Sequence, residues 1–147
     1  MNAATFYPLF QQAGKVTIDN RKVEKNDIFF AFSGENFNAA TLADKAIEQG
    51  ALAVIVEQKE FENTNKNIFY VPSTLDFLQK LAVFHRKHLS IPIIALTGSN
   101  GKTTTKDIIH AVLSQKFKVQ YTFGNLNNHI GVPLTLLSIK PEHEIAV

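Results

Sequence analysis

Residues 91–115 carry the feature that most narrows what this 147-residue chain can fold into. An apolar run at 91–96 leads directly into Thr97-Gly98-Ser99-Asn100-Gly101-Lys102-Thr103-Thr104-Thr105, and apolar residues at helical spacing follow to 115. That order predicts a buried strand, a tight loop and an amphipathic helix. The glycines let the backbone turn sharply and bring several N–H groups toward one point, where the new helix adds its own unpaired N–H groups and the positive end of its dipole. An anion is favoured there. Lys102 supplies a full charge within reach of β- and γ-phosphates, and the Thr103 hydroxyl is placed to ligate the magnesium ion that accompanies ATP. The expected catalytic residues are therefore Lys102 and Thr103. Gly98, Ser99, Asn100, Gly101, Lys102, Thr103 and Thr104 are expected to bind ATP, with Thr103 as the metal ligand. A bare Gly-Lys-Thr would read as a chance turn, but here strand, glycines, lysine, hydroxyls and helix come in the required order. Counting back from Gly101, the first glycine of the common loop falls on Leu96. The loop is thus shortened, which argues against an ordinary kinase or GTPase.

The rest of the chain supplies an α/β frame. The first third reads as short strands and turns, with strands at 15–18 and 27–32. Ile28, Phe29, Phe30, Ala31 and Phe32 are almost continuously apolar, as suits a strand covered on both faces. Ser33, Gly34, Glu35 and Asn36 make a polar turn. Ala43, Ala46 and Ile47 mark one side of a helix, with Gly50 at its C-terminal cap. Strands at 51–57 and 68–71 flank a polar connection at 59–67. Ser73 or Thr74 can cap a helix running to about residue 89, with Leu78, Leu81, Ala82 and His85 at helical spacing. A strand at 118–122, a helix at 130–137 and the start of a buried strand at 144–147 follow. Alternating strands and helices imply an α/β protein. A boundary at the 74–89 helix gives domains of residues 1–73 and 74–147.

Hydrophobic residues at 45% and charged residues at 19% exclude a disordered or collagen-like chain. The formal charge of +2 is spread singly along the sequence, without the basic face of a nucleic-acid binder. Absence of cysteine removes disulfides, thiol nucleophiles and cysteine-based zinc sites. His85, His88, His110 and His143 lack metal spacing and read as surface or packing residues. No signal peptide and no membrane-length apolar run is present, so a cytoplasmic location is expected.

The shortened loop resembles that of the Mur ligases and folylpolyglutamate synthetases, which use ATP to join an amine to a carboxylate. The block Phe123-Gly124-Asn125-Leu126-Asn127-Asn128-His129-Ile130-Gly131-Val132-Pro133-Leu134-Thr135-Leu136-Leu137 is similar to the one that follows the phosphate loop in the Mur ligases. Asp19-Asn20-Arg21-Lys22-Val23, Asp27-Ile28-Phe29-Phe30-Ala31 and Gly34-Glu35-Asn36-Phe37 resemble the UDP-sugar-binding domain of that family, in the same order. The resemblance covers nearly the whole chain. It implies a small α/β UDP-sugar-binding domain followed by the start of a P-loop NTPase-like central domain. It also implies substrate contacts at Asn20, Arg21, Ser33, Gly34, Asn36, Asn125, Asn128 and His129. For Asn125, Asn127, Asn128 and His129, turn-making and helix capping stand as an equal alternative. Two positions depart from the family: Asn20 replaces a usual serine, and Ala40 replaces a histidine found in many members and offers no side-chain hydrogen bond.

The branch resembled most adds D-alanyl-D-alanine to UDP-N-acetylmuramoyl-tripeptide, with ATP and Mg2+, during peptidoglycan precursor synthesis. The implied partners are those small molecules, with no nucleic acid. By the same resemblance, a magnesium-binding glutamate and a carbamylated lysine are expected beyond residue 147, and the chain reads as an N-terminal portion without ligase activity of its own. The competing readings are another Mur ligase, a folylpolyglutamate-synthetase-like ligase, and a non-catalytic nucleotide-binding module.

Overall fold

Four short strands, β1 (Val16–Thr17), β2 (Ile28–Phe30), β3 (Ala53–Val56) and β4 (Ile68–Tyr70), make a wholly parallel sheet in the order β1-β2-β3-β4. The computed structural model in which they are seen describes residues 1–34, 37–124 and 126–147. Every residue of β2 and β3 is buried, as their continuous apolar sequence requires of strands covered on both faces. Successive side chains point to opposite sides. Phe29, Val54 and Val56 join Ala40, Ala43 and Ala46 in one buried cluster, the alanines coming from a 3-10 turn (Ala39–Leu42) and helix α2 (Ala43–Glu48). Gly50 follows α2 with φ of 104°, at the expected cap.

The neighbouring residue Phe30 instead meets Phe77, with ring centroids 6.1 Å apart. Phe77 belongs to α3 (Thr74–His88). Phe6 packs edge-on against Phe77 at 5.5 Å and Phe69 at 5.9 Å, geometries worth about 0.5–1.5 kcal/mol each beyond area burial. Phe6 lies on a helix that the reading of short strands and turns missed, α1 (Ala3–Phe10). Phe6, Tyr7 and Phe10 are its buried face, and Asn2 caps it by accepting from the Thr5 N–H at 2.9 Å. Pro8 sits inside this helix. At the head of α3, Ser73 proves to be the cap, accepting from the Asp76 N–H at 3.2 Å. The Glu57 carboxylate takes the Thr74 N–H at 2.5 Å and its hydroxyl at 2.8 Å.

The chain divides into compact units Met1–Phe84 and His85–Val147, the division falling within α3. In the second unit, α4 (Lys102–Leu113), β5 (Val119–Gln120), α5 (Gly131–Leu137) and β6 (Ile145–Ala146) follow in turn. β5 and β6 are parallel, with Val119 opposite Ile145 and Gln120 opposite Ala146. The expectation of a buried strand at 91–96 needs correction. That segment makes one isolated parallel bridge, Ile93 to Ala146, through Ile94 N–H to the Ala146 carbonyl at 2.9 Å and Ala146 N–H to the Pro92 carbonyl at 3.1 Å. Its pairing runs along β6 only, and among the described residues no strand lies on its other edge; Leu96 remains 37% exposed. Among the described residues, no helix is long and apolar enough to cross a membrane.

Candidate functional site

Residues 97–101 connect this extended segment to α4, and all five are exposed. Gly101, the residue before the helix, has φ of 78° and ψ of −5°. A side chain in that left-handed conformation is strained, so glycine at this point is what allows the chain to enter the helix directly from the loop. Gly101, at the N-cap position of α4, has no side chain with which to cap it. The N–H groups and positive dipole end of the helix head face the loop without a capping group from Gly101 itself. Lys102, the first helical residue, folds its side chain back so that Nζ donates to the Gly98 carbonyl. Ser99, Asn100, Gly101, Lys102, Thr103 and Thr104 surround a hollow of about 420 Å³, and Asn127 closes it from the segment after β5. Six of the seven expected nucleotide-binding residues are thus brought to one hollow. Gly98 lines a second cavity of about 430 Å³, shared with Lys102, Thr103 and Asn127.

The segment 121–131 is built around Asn127. Upstream, the Lys106 ammonium donates to the carbonyls of Thr122 at 2.6 Å and Gly124 at 3.1 Å. Downstream, Asn128 Oδ1 accepts from the N–H groups of Ile130 at 3.1 Å and Gly131 at 2.7 Å, and so anchors the start of α5. Asn128 thereby takes the helix-capping role held open from the sequence, and neither it nor His129 lines the two hollows. Asn125 lies outside the described residues. Asn127 and Lys106 are not among the site residues that the sequence predicts. The signal for Lys106 was its spacing, four residues beyond Lys102 and so on the same helical face.

In the first unit, Asn20 opens a 3-10 turn, Asn20–Lys22, capped by Asp19. Arg21 grips Asp19 through Nε to Oδ1 and Nη2 to Oδ2, both at 2.9 Å. This fork, helped by the Arg21 N–H, holds the Asp19 carboxyl down at about 2. Ser33 Oγ accepts from the Ala39 N–H at 3.1 Å and from Gln58 Nε2 at 3.3 Å, and donates to Asn38 Oδ1 at 3.1 Å. Gly34 and Phe37 pair in an antiparallel bridge; Glu35 and Asn36, the remaining residues of the expected polar turn, lie outside the described residues. Ala40 is fully buried in the core under α2. The candidate residues Asn20, Arg21, Ser33 and Gly34 therefore sit on the loops that leave β1 and β2, at the carboxyl ends of parallel strands.

A small parallel α/β sheet followed by a glycine-lysine loop at the head of a helix defines a nucleotide-loop class of α/β protein. Two family models match: residues 14–86 fit the Mur ligase family, catalytic domain, and residues 96–147 fit the Mur ligase middle domain. The chain belongs to the Mur ligase family. It is 43% identical over 134 residues to the UDP-N-acetylmuramoyl-tripeptide--D-alanyl-D-alanine ligase of Bacillus subtilis, and 42% identical over 132 residues to that of Escherichia coli. Each alignment takes in 90% of this chain and 29% of the relative, so the chain spans about three tenths of the length of the curated relatives it matches. Among solved structures, the MurF ligase of Thermotoga maritima in complex with ADP matches with a TM-score of 0.77 and 35% identity, over 94% of this chain and 32% of that one. A MurF structure from Acinetobacter baumannii matches with a TM-score of 0.81 and 31% identity, over 99% and 34%.

Proposed function

We propose that this chain supplies the UDP-sugar-binding unit and the phosphate loop of an ATP-dependent ligase that joins D-alanyl-D-alanine to UDP-N-acetylmuramoyl-tripeptide in the cytoplasm. One observation carries the reading: a helix entered through Gly101 and headed by Lys102 opens on an exposed hollow of about 420 Å³. The ADP held by the Thermotoga maritima relative supports a nucleotide as the occupant. Residues 98–104 would hold the polyphosphate through backbone N–H groups, with Lys102 turning from the Gly98 carbonyl to the β- and γ-phosphates. The Asp19–Arg21 turn and the Ser33–Gly34 loop would face the UDP-sugar.

The reaction needs the peptide carboxylate made electrophilic. Its oxygen attacks the γ-phosphorus of ATP, the bond to ADP breaks, and an acyl phosphate forms. The neutral amine of D-alanyl-D-alanine then attacks the acyl carbon, inorganic phosphate leaves and the nitrogen loses a proton. The chain's part in this is to neutralise charge on the transferred group and hold it in line. Among the described residues, no group of three metal-binding side chains occurs. Magnesium would rest on the Thr103 hydroxyl and on phosphate oxygens, which suits an ion that takes few protein ligands. When bound, it supplies further charge neutralisation at the phosphates.

Phosphate release by the complete protein carrying this sequence tests the reading. Release that requires ATP, the tripeptide and D-alanyl-D-alanine together is expected, whereas equal or faster turnover with another acceptor amine would overturn the substrate assignment. Residues 1–147 alone are expected to release none above background.

A further inference from the structure

Lys102 and Lys106 stand one turn apart on α4 and line the same cavity, yet their ammonium groups have different surroundings. Lys102 is only partly covered. Lys106 is 8% exposed, and besides its bonds to the Thr122 and Gly124 carbonyls it has Asp107 Oδ1 at 3.4 Å. Its Nζ also lies 5.5 Å from the centre of the Tyr121 ring, which stacks on His110 at 3.7 Å. An ammonium has three N–H groups. Two carbonyls take two of them and the Asp107 carboxylate lies close as an ion pair, so the Lys106 ammonium is already committed to the segment that returns after β5.

We infer that Lys106 is a positioning residue, which ties the segment leaving β5 to the first turns of α4 and thereby holds Asn127 over the phosphate hollow. The segment is pinned at both ends. Lys106 fixes Thr122 and Gly124 on one side, Asn128 and Gly131 fix the beginning of α5 on the other, and Asn127 lies between them on the hollow itself. Because Lys106 and Lys102 share one helix, the height of Asn127 over the loop is set by the same element that carries the phosphate-binding lysine. This inference rests on the nucleotide reading above and adds to it the residue that places the far wall of the site.

ADP titration of the 147-residue chain, read beside amide hydrogen exchange without nucleotide, tests it. Lys106→Met is expected to weaken ADP binding about tenfold, Asn127→Ala by a similar factor, and the double variant no further, since both remove the same contact. Exchange at residues 124–130 is expected to quicken in Lys106→Met while that of 105–113 stays slow. Lys106→Arg, which keeps charge and donors, is expected to restore most of the affinity. Should Lys106→Met not fold, Lys106→Gln, with one amide donor group, carries the same comparison. Wild-type affinity in a folded Lys106 variant, or losses that simply add in the double variant, overturns the inference and leaves the nucleotide reading intact. A wild-type chain that binds no ADP overturns both.

Discussion

Gly131 lies against the backbone of Leu126 so closely that a Cβ built on the glycine would stand 2.6 Å from both the Cα and the carbonyl carbon of Leu126. The obstacle is main chain, so no side-chain rotation relieves it. Gly131→Ala is expected to force Leu126 away from the start of α5, costing about 1–3 kcal/mol in the way of other overpacked sites. Urea unfolding of the chain measures the loss. An alanine variant as stable as wild type would show that Gly131 and the Leu126 backbone are not in close contact.

Phe6 is fixed between Phe69 and Phe77 and is 2% exposed. Removing its ring leaves a cavity that α1 and α3 cannot close without moving. Phe6→Ala is expected to destabilise the chain by about 3–5 kcal/mol, read by thermal or urea unfolding. A loss below about 1 kcal/mol would mean that α1 frays from the sheet and contributes little.

Arg21 holds Asp19 at about 2, below its ordinary 3.8. Carbon-detected NMR titration of the Asp19 carboxyl should therefore find a midpoint near that lower value, returning toward the ordinary one in Arg21→Gln. The sign for stability follows from the depressed value. The pair's contribution is complete above the unfolded value and is lost as pH falls from there through about 2. An unshifted midpoint in the wild-type chain would contradict the fork geometry.

His85 is 7% exposed, and its Nε2 lies 3.0 Å from the Ile139 carbonyl. Burial holds the imidazole below its ordinary 6.5, against the smaller upward pull of that hydrogen bond. The unfolded chain therefore takes up the proton first, so stability falls as pH drops below 6.5 and continues to fall until the folded value is passed. In His85→Gln, whose amide can still donate to Ile139, this part of the pH dependence should vanish. An unchanged slope would assign it to other groups.

Much of the first unit was legible because β2 and β3 are apolar on both sides and α2 shows one clear face. Helix α1 was not, since Pro8 reads as a breaker, although Phe6, Tyr7 and Phe10 kept helical spacing. The 91–96 segment has the sequence of a buried strand, but burial depends on neighbours, and among the described residues it pairs along β6 alone, with Leu96 37% exposed. The loop at 97–104 could be read because glycine, lysine and hydroxyls each have a local reason to be there. Resemblance favours Asn128 over Asn127 as a site residue, but adjacent residues of one type give no local reason for the choice; the tight packing of Gly131 on Leu126 and the bonds from Asn128 to the start of α5 leave Asn127 as the one on the hollow. A single lysine on a helix reads as a solvated charge, and only the returning chain at Thr122 and Gly124 gives Lys106 its partners.

Chemical-shift mapping of the amides of residues 97–105 during ADP titration, in wild type and in Lys102→Ala, bears most directly on the phosphate loop. Saturable shifts concentrated at 98–104, with affinity reduced by about tenfold or more in the variant while its unfolding free energy changes by no more than about 0.5 kcal/mol, are the expected result. Shifts that avoid the loop, or affinity indifferent to Lys102, would contradict a polyphosphate seated at the head of α4.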